Sequence, residues 1–405
     1  MLVLIVDDDP TVAAMLQQVI RQLGSGLVCE PVWANKGAAA REELKKRRFQ
    51  LVLLDYMLPD EDGLAVLTSI NAMPASDRPV VIMLTGAGNE QVAVAAMKMG
   101  VKDYIAKPVM DFPALRRSIV MALEHYQLEE KLAQSTAELR RKNLEMDADL
   151  ALARGVQQAL LPQSYPVFPA GVAFDRSALQ FCHRWIPSEK VAGDLFDVFP
   201  AGENSAGVFL FDVMGHGVRA ALVTALLRGL VHEQMQLADR PGMFLEQINR
   251  GLLTLLGQTG DLVFVTAIYA VIDAPSGKVT MASAGHPAPL HLGRRDGVVT
   301  PLIQPDGPGP ALGLLPDPVY HGLETILAPG DALWLFTDGL FEAVSASGEE
   351  FGRNRLRTAV ETRLALPTPL LIDAVLADIR NFQPTGTKGF EDDVCIVTVD
   401  RAVRA

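Results

Sequence analysis

The chain has 405 residues, 49% of them apolar and 21% charged. That is long enough for two or three domains with cores of their own, and the composition excludes wholesale disorder. A formal net charge of −12 argues against a nucleic-acid surface, which needs clustered Lys and Arg. Cys29, Cys182 and Cys395 are far apart and fit no Cys/His metal spacing, as expected of small buried residues in a reducing compartment. The N-terminus shows no basic leader, and no apolar run reaches the roughly 18–20 residues that cross a bilayer. A soluble, cytoplasmic protein without a membrane partner is expected.

Residues 1–122 alternate short apolar runs with amphipathic stretches. Strands are predicted at 2–6 (LVLIV), 51–55 (LVLLD), 80–84 (VVIML) and 103–106 (DYIA), with a weaker fifth at 27–33; helical patterns occupy 11–23 and 90–100. Alternating β and α units with continuously apolar strands predict a doubly wound, five-stranded parallel sheet. Such sheets gather functional groups beyond the carboxyl ends of their strands. Asp7, Asp8, Asp55, Thr85 and Lys107 all fall there.

Residues 112–161 are rich in Leu, Glu, Lys, Arg and Gln. Leu132, Leu139, Met146, Ala153 and Leu160 recur every seven residues, while the alternate seam holds polar Thr136 and Asn143. One long linker helix is predicted, an imperfect coiled coil that forms a homodimer. From 162 to 405 the pattern changes to Gly/Pro-punctuated strands, among them 207–213, 262–273, 278–284, 331–337 and 393–400. Helices are expected at 217–235 and 242–256, with a further pair near 353–382. Strands in succession with grouped helices indicate an α+β layered sandwich, so the whole is a multidomain α/β and α+β chain.

Three carboxylates crowded at converging strand ends call for a cation, and all-oxygen donors select Mg2+ or Mn2+. Lys107 and Thr85 add an ammonium and a hydroxyl suited to phosphoryl oxygens. The motifs IVDDDP, LLDYMLPDEDG, MLTG and YIAKP resemble, in order and spacing, the receiver domain of two-component response regulators across 1–122. The resemblance implies that Asp55 is the phosphoacceptor and that a histidine kinase is its partner. It further implies that Asp7, Asp8, Asp55 and the Met57 carbonyl hold Mg2+, and that Lys107 contacts the phosphoryl group through a loop with a cis bond to Pro108. Thr85 and Tyr104 would report the modification.

The distal half has four separated acidic motifs: VAGDLFD (191–197), FDVMGHG (211–217), FTDGLFEA (336–343) and FEDDVCIV (390–397). A lone carboxylate beside an apolar strand costs several kcal/mol, and shared hard cations explain the four together. With ARGVQQALLP (153–162), ASAGHPAPL (282–290) and ALGLLPD (311–317), these motifs resemble the PPM (PP2C-like) serine/threonine phosphatases of the bacterial SpoIIE/RsbU type, over about 152–400. The resemblance implies a β-sandwich flanked by helices and two Mn2+ or Mg2+ ions. Asp212 would bridge them, Asp338 and Asp393 would complete the first, the Val213 carbonyl would serve the second, and Asp194 would stand beside it. The ions would lower the pKa of a bridging water that attacks phosphorus in line. Asp392 would orient a metal water or stay solvated, and His216 and His286 lie in loop motifs with a structural role expected over that of proton donor. Ala192 departs from the glycine of many relatives, and no phosphate-binding arginine is specified.

A receiver joined to a phosphatase by a helix implies a switch in which phosphorylated Asp55 changes phosphatase activity, the substrate being a STAS-type anti-sigma-factor antagonist. The alternative is a non-enzymatic adaptor binding a sigma factor or anti-sigma partner. Intact metal acids favour the enzyme.

Overall fold

The computed structural model describes residues 1–24, 27–86, 90–107, 111–215, 217–256, 263–387 and 389–403. They divide within one helix into two compact units, Met1–Asn143 and Leu144–Ala405.

The first unit is a parallel sheet of β1 (Leu2–Val6), β2 (Glu30–Ala34), β3 (Leu51–Asp55), β4 (Val80–Thr85) and β5 (Asp103–Ala106), in the order β2-β1-β3-β4-β5. Alternation explains the unbroken apolar runs. Val3, Ile5, Leu53 and Leu84 face α1 (Pro10–Arg21) and the first turns of α5 (Phe112–Leu160). Leu4, Val6, Leu54 and Met83 face α2 (Gly37–Lys46), α3 (Gly63–Asn71) and α4 (Glu90–Lys98). Each large side chain so buried is worth about 1.5–3 kcal/mol. The weak strand expected at 27–33 begins three residues later and ends one later, where its backbone pairs with β1 from Glu30 to Ala34. The helix α5 runs unbroken for 49 residues, and Leu132, Leu139 and Met146 of the heptad seam are exposed on it.

The second unit stacks two antiparallel five-stranded sheets. One contains β7 (Asp194–Pro200), β8 (Ser205–Val213), β9 (Val265–Asp273), β10 (Lys278–Ala284) and β13 (Leu323–Ile326), in the order β13-β10-β9-β8-β7. The other contains β6 (Leu179–Ile186), β11 (Leu290–Gly293), β12 (Val298–Pro301), β14 (Ala332–Phe336) and β15 (Val394–Arg401), in the order β12-β11-β14-β15-β6. Val208, Leu210, Leu333, Leu335, Cys395 and Val397 fill the space between the sheets. Phe209 and Phe211 turn outward under α6 (Val218–Glu233) and α7 (Pro241–Leu256). Trp334, Phe336 and Ile396 turn outward under α8 (Gly352–Glu361) and α9 (Thr368–Phe382). The result is a four-layer helix–sheet–sheet–helix sandwich. The run LWLF at 333–336 is greasy on every residue because both faces of β14 are covered.

Candidate metal and phosphoryl sites

In the first unit Asp7, Asp8 and Asp55 bring one carboxylate oxygen each to within 4.8 Å of one another. Asp7 and Asp55 are buried, while Asp8 is exposed. Lys107 Nζ lies 2.5 Å from Asp55 Oδ2 and 2.9 Å from Asp7 Oδ2. Burial, offset by Lys107, raises the Asp55 carboxyl above its ordinary value. Thr85 is buried at the end of β4 and Tyr104 is half exposed on β5. The expected cis bond at Pro108 falls outside the described residues.

The acids around this cluster divide their work in a way the bare motifs do not reveal. Asp9, third in the DDD run, caps α1 by accepting from the Thr11 and Val12 N–H groups. Asp60 accepts from Gly37 and Ala38 at the start of α2, and Asp62 caps α3 through the Ala65 N–H. Gly63 must be glycine, because a Cβ there would stand 2.4 Å from the Asp55 carbonyl oxygen. The Trp33 indole N–H donates to the Asp7 carbonyl at 2.8 Å.

In the second unit the acids come from both sheets. Asp194 opens β7 directly opposite Asp212 near the end of β8. Asp338 follows β14, and Asp393 immediately precedes β15, its pairing partner. Antiparallel strands bring starts and ends to one edge, so two of these acids stand at the start of a strand instead of terminating one. Burial, then the Asp212 charge, pushes the Asp194 carboxyl well above the carboxylate range. Burial, then Asp338, pushes Asp212 up to about 7. Burial, then Asp392, also raises Asp338. Like charges gathered in low dielectric raise one another in this way unless a cation offsets them.

Asp393 is held rigidly. One oxygen accepts from the Ser188 N–H at 2.7 Å and its hydroxyl at 2.9 Å, and the other accepts from the Gly193 N–H at 2.7 Å. Close backbone approaches demand the flanking glycines. A Cβ on Gly193 would sit 2.8 Å from the Val213 carbonyl oxygen, and one on Gly339 would sit 2.1 Å from that of Asp393. Asp392 is exposed and accepts the Asp393 N–H. His286 is buried, its Nδ1 2.9 Å from Thr266 Oγ1, and burial pushes it down to about 3. It is therefore neutral near pH 7. His216 falls outside the described residues.

Gln157, near the C-terminal end of α5, was not singled out from the sequence. Its buried amide donates to the Ala192 carbonyl at 2.8 Å and to Thr224 Oγ1 at 3.1 Å, and accepts the Ala192 N–H at 3.0 Å. The available signal is a polar residue amid ALARGVQQALL at a helix position that must be covered.

The donor sets fit divalent cations. Both are all-oxygen, and in the second Asp194 Oδ2 is buried with no hydrogen-bond partner. Among the described residues, the carboxylate trio with all ligand oxygens within 4.8 Å is the receiver-like one.

Residues 3–120 match the response regulator receiver domain family and residues 202–402 the Stage II sporulation protein E (SpoIIE) family. The chain thus joins a receiver domain to a SpoIIE-type, PP2C-like phosphatase domain. Asp212, Asp338 and Asp393 lie inside the second match and Asp194 just before it. Protein IcfG of Synechocystis sp. is 27% identical over 247 residues, 55% of this chain but 37% of IcfG. The phosphoserine phosphatase RsbU of Bacillus subtilis is 25% identical over 269 residues, 65% of this chain and 73% of RsbU. The SiaA-PP2C domain of Pseudomonas aeruginosa superposes with a TM-score of 0.54 at 23% identity, over 64% of this chain and 97% of that domain, a likeness of fold alone.

Proposed function

We propose that the second unit is a metal-dependent protein phosphatase that removes phosphate from serine or threonine, and that phosphorylation of Asp55 by a histidine kinase controls it. The observation that carries this reading is the gathering of Asp194, Asp212, Asp338 and Asp393 from two sheets, with the carboxyls of Asp194, Asp212 and Asp338 raised by burial and by neighbouring acids. These four carboxylates and the Val213 carbonyl would hold two Mn2+ or Mg2+ ions. When bound, such a pair supplies an activated water and neutralises charge on phosphoryl oxygens. Ser188 and Gly193 fix the rotamer of Asp393, so little reorganisation is left for the reaction. RsbU carries the name phosphoserine phosphatase, which supports a phosphoserine substrate, here taken as a STAS-type anti-sigma-factor antagonist.

In the receiver, a carboxylate oxygen of Asp55 would attack the phosphorus of a phosphohistidine, forming an O–P bond as the N–P bond breaks. Asp7, Asp8, Asp55 and the Met57 carbonyl would hold Mg2+ there, and the Lys107 ammonium would follow the charge onto the new phosphoryl group. Thr85 and Tyr104 are the residues that would relay the change. The linker helix, with its exposed leucine seam, would join two copies and carry the change in register.

Mn2+-dependent hydrolysis of p-nitrophenyl phosphate, abolished by Asp338→Ala, tests the enzyme. No hydrolysis by the wild type under any divalent ion would leave the adaptor reading in its place. Equal rates for wild type and Asp55→Ala, with and without a phosphodonor, would remove the control by the receiver.

A further inference from the structure

We propose that Arg353 forms an anion-recognising subsite beside the second acidic cluster and grips an oxyanion of the phosphorylated substrate. The inference deepens the phosphatase reading and rests on it. A cavity of about 270 Å³ opens next to Asp338, lined also by Thr266, His286, Phe341, Glu342 and Arg353. Arg353, in the first turn of α8, lays its guanidinium over the Phe341 ring, 4.8 Å from the centroid.

That stacking orients the group without consuming its donors, because a cation–π contact uses the ring face and leaves the N–H fork free. Among the described residues, Arg353 makes no hydrogen bond or ion pair. Its neighbours are engaged: Arg355 donates to the Glu350 and Phe351 carbonyls and pairs with Glu349, and Arg363 pairs with Asp378. Arg353 is the one cation among the cavity's described lining residues, on a wall otherwise carrying Asp338 and Glu342.

An unspent fork donor held on an aromatic floor beside a carboxylate cluster matches a planar or tetrahedral oxyanion. Two parts of a phosphoprotein carry one: the phosphoryl group itself, and an acidic side chain flanking it. Free inorganic phosphate presents the first alone.

The test compares the full-length wild type with Arg353→Gln, Arg353→Lys and Arg357→Gln, the last removing the same charge one helical turn away. Three probes are used with Mg2+: inorganic phosphate by calorimetry, and two phosphoserine peptides, one flanked by Asp and Glu and one by Asn and Gln. Arg353→Gln is expected to weaken binding by about 10- to 100-fold, the worth of a charge-assisted hydrogen bond. Arg353→Lys should recover part of the loss, and Arg357→Gln should match the wild type. Loss on all three probes identifies the phosphoryl group as the ligand, and loss confined to the acidic peptide identifies the flanking carboxylate. Wild-type affinity of Arg353→Gln for every probe overturns the proposal, as does an equal loss in Arg357→Gln. If the wild type hydrolyses neither peptide, the phosphatase reading fails by itself, and affinities measured without turnover still decide the role of Arg353.

Discussion

Gln157 and Ala192 are joined through both ends of one side-chain amide, which accepts the Ala192 N–H and donates to its carbonyl. The last turns of the linker helix are thereby tied to a backbone position two residues before Asp194. Gln157→Leu removes both partners while leaving the Ala192 groups buried, at a cost of about 1–3 kcal/mol for each unsatisfied group. The expected outcome is a melting temperature lower by several degrees and a higher Mn2+ concentration for half-maximal hydrolysis. Unchanged metal dependence in a folded Gln157→Leu variant would show the tie to be structural alone.

The raised carboxyls give the second unit a pH dependence that metal should remove. Asp212 titrates near pH 7 in the folded chain and from 3.8 when unfolded, and Asp194 is displaced in the same direction. Between those values the folded state holds protons that the unfolded chain has released, so stability falls as pH rises through the window. Metal-stripped protein should melt at progressively lower temperature from about pH 4 to about pH 7. Saturating Mn2+ should flatten that slope, and Asp212→Asn should reduce it without metal. Parallel slopes with and without metal would contradict the assignment of these acids to cation binding.

Gly339 and Gly193 are predicted to be as intolerant as the acids beside them. A methyl group at 339 would overlap the Asp393 carbonyl and push apart the two strands that present Asp338 and Asp393. Gly339→Ala should abolish hydrolysis and destabilise the unit by about 1–3 kcal/mol, as overpacking does. Gly348→Ala serves as the comparison, because it meets no atom within 4 Å; its φ of +81° costs strain but leaves the site intact. Activity retained in Gly339→Ala would mean that the backbone there yields more readily than its packing indicates.

Continuous apolar runs made β1, β3, β4, β8, β14 and β15 legible in the sequence, and β5, β9 and β10 were read as well, whereas β7, buried along nearly its whole length, was not. The short β11, β12 and β13 carry polar residues such as His291, Thr300 and Glu324, and single-sequence patterning passes over them. The acidic motifs were legible as a group, but their geometry was not. In a parallel sheet function lies past the carboxyl ends, and Asp55 obeys that rule. In the antiparallel sandwich Asp194 and Asp393 stand at strand starts, a placement set by pairing register, which is a long-range property. Gln157 escaped notice for the same reason: its partners are 35 and 67 residues away.

The receiver should report its own cation optically. Trp33 donates to the Asp7 carbonyl, so ordering of Asp7 by Mg2+ alters the field around the indole. Mg2+ titration should change tryptophan fluorescence in the wild type, and Trp33→Phe should remove that change while Trp185 and Trp334, in the other unit, continue to emit. Lys107→Ala leaves Asp7 and Asp55 without their half-buried counter-charge and is expected to tighten Mg2+ binding, since the cation then replaces the ammonium. It should nevertheless slow phosphorylation of Asp55 by a small-molecule phosphodonor, because the group that follows the transferred charge is gone. Faster phosphorylation in Lys107→Ala would place the lysine outside the phosphoryl-transfer step.

Leu132, Leu139 and Met146 lie exposed at heptad spacing on α5, each more than half accessible. Such a seam gains by pairing with a second copy, about 1.5–3 kcal/mol for each large apolar side chain fully covered. The polar Thr136 and Asn143 of the alternate seam limit that gain. Sedimentation should therefore give a concentration-dependent mass approaching twice that of the chain, and Leu139→Asp should hold it at one copy, since each helix would have to bury a charge. If Leu139→Asp sediments like the wild type, association runs through another surface. If it is monomeric yet responds fully to Asp55 phosphorylation, the signal passes along a single helix, and the Gln157 tie to Ala192 becomes the route to test.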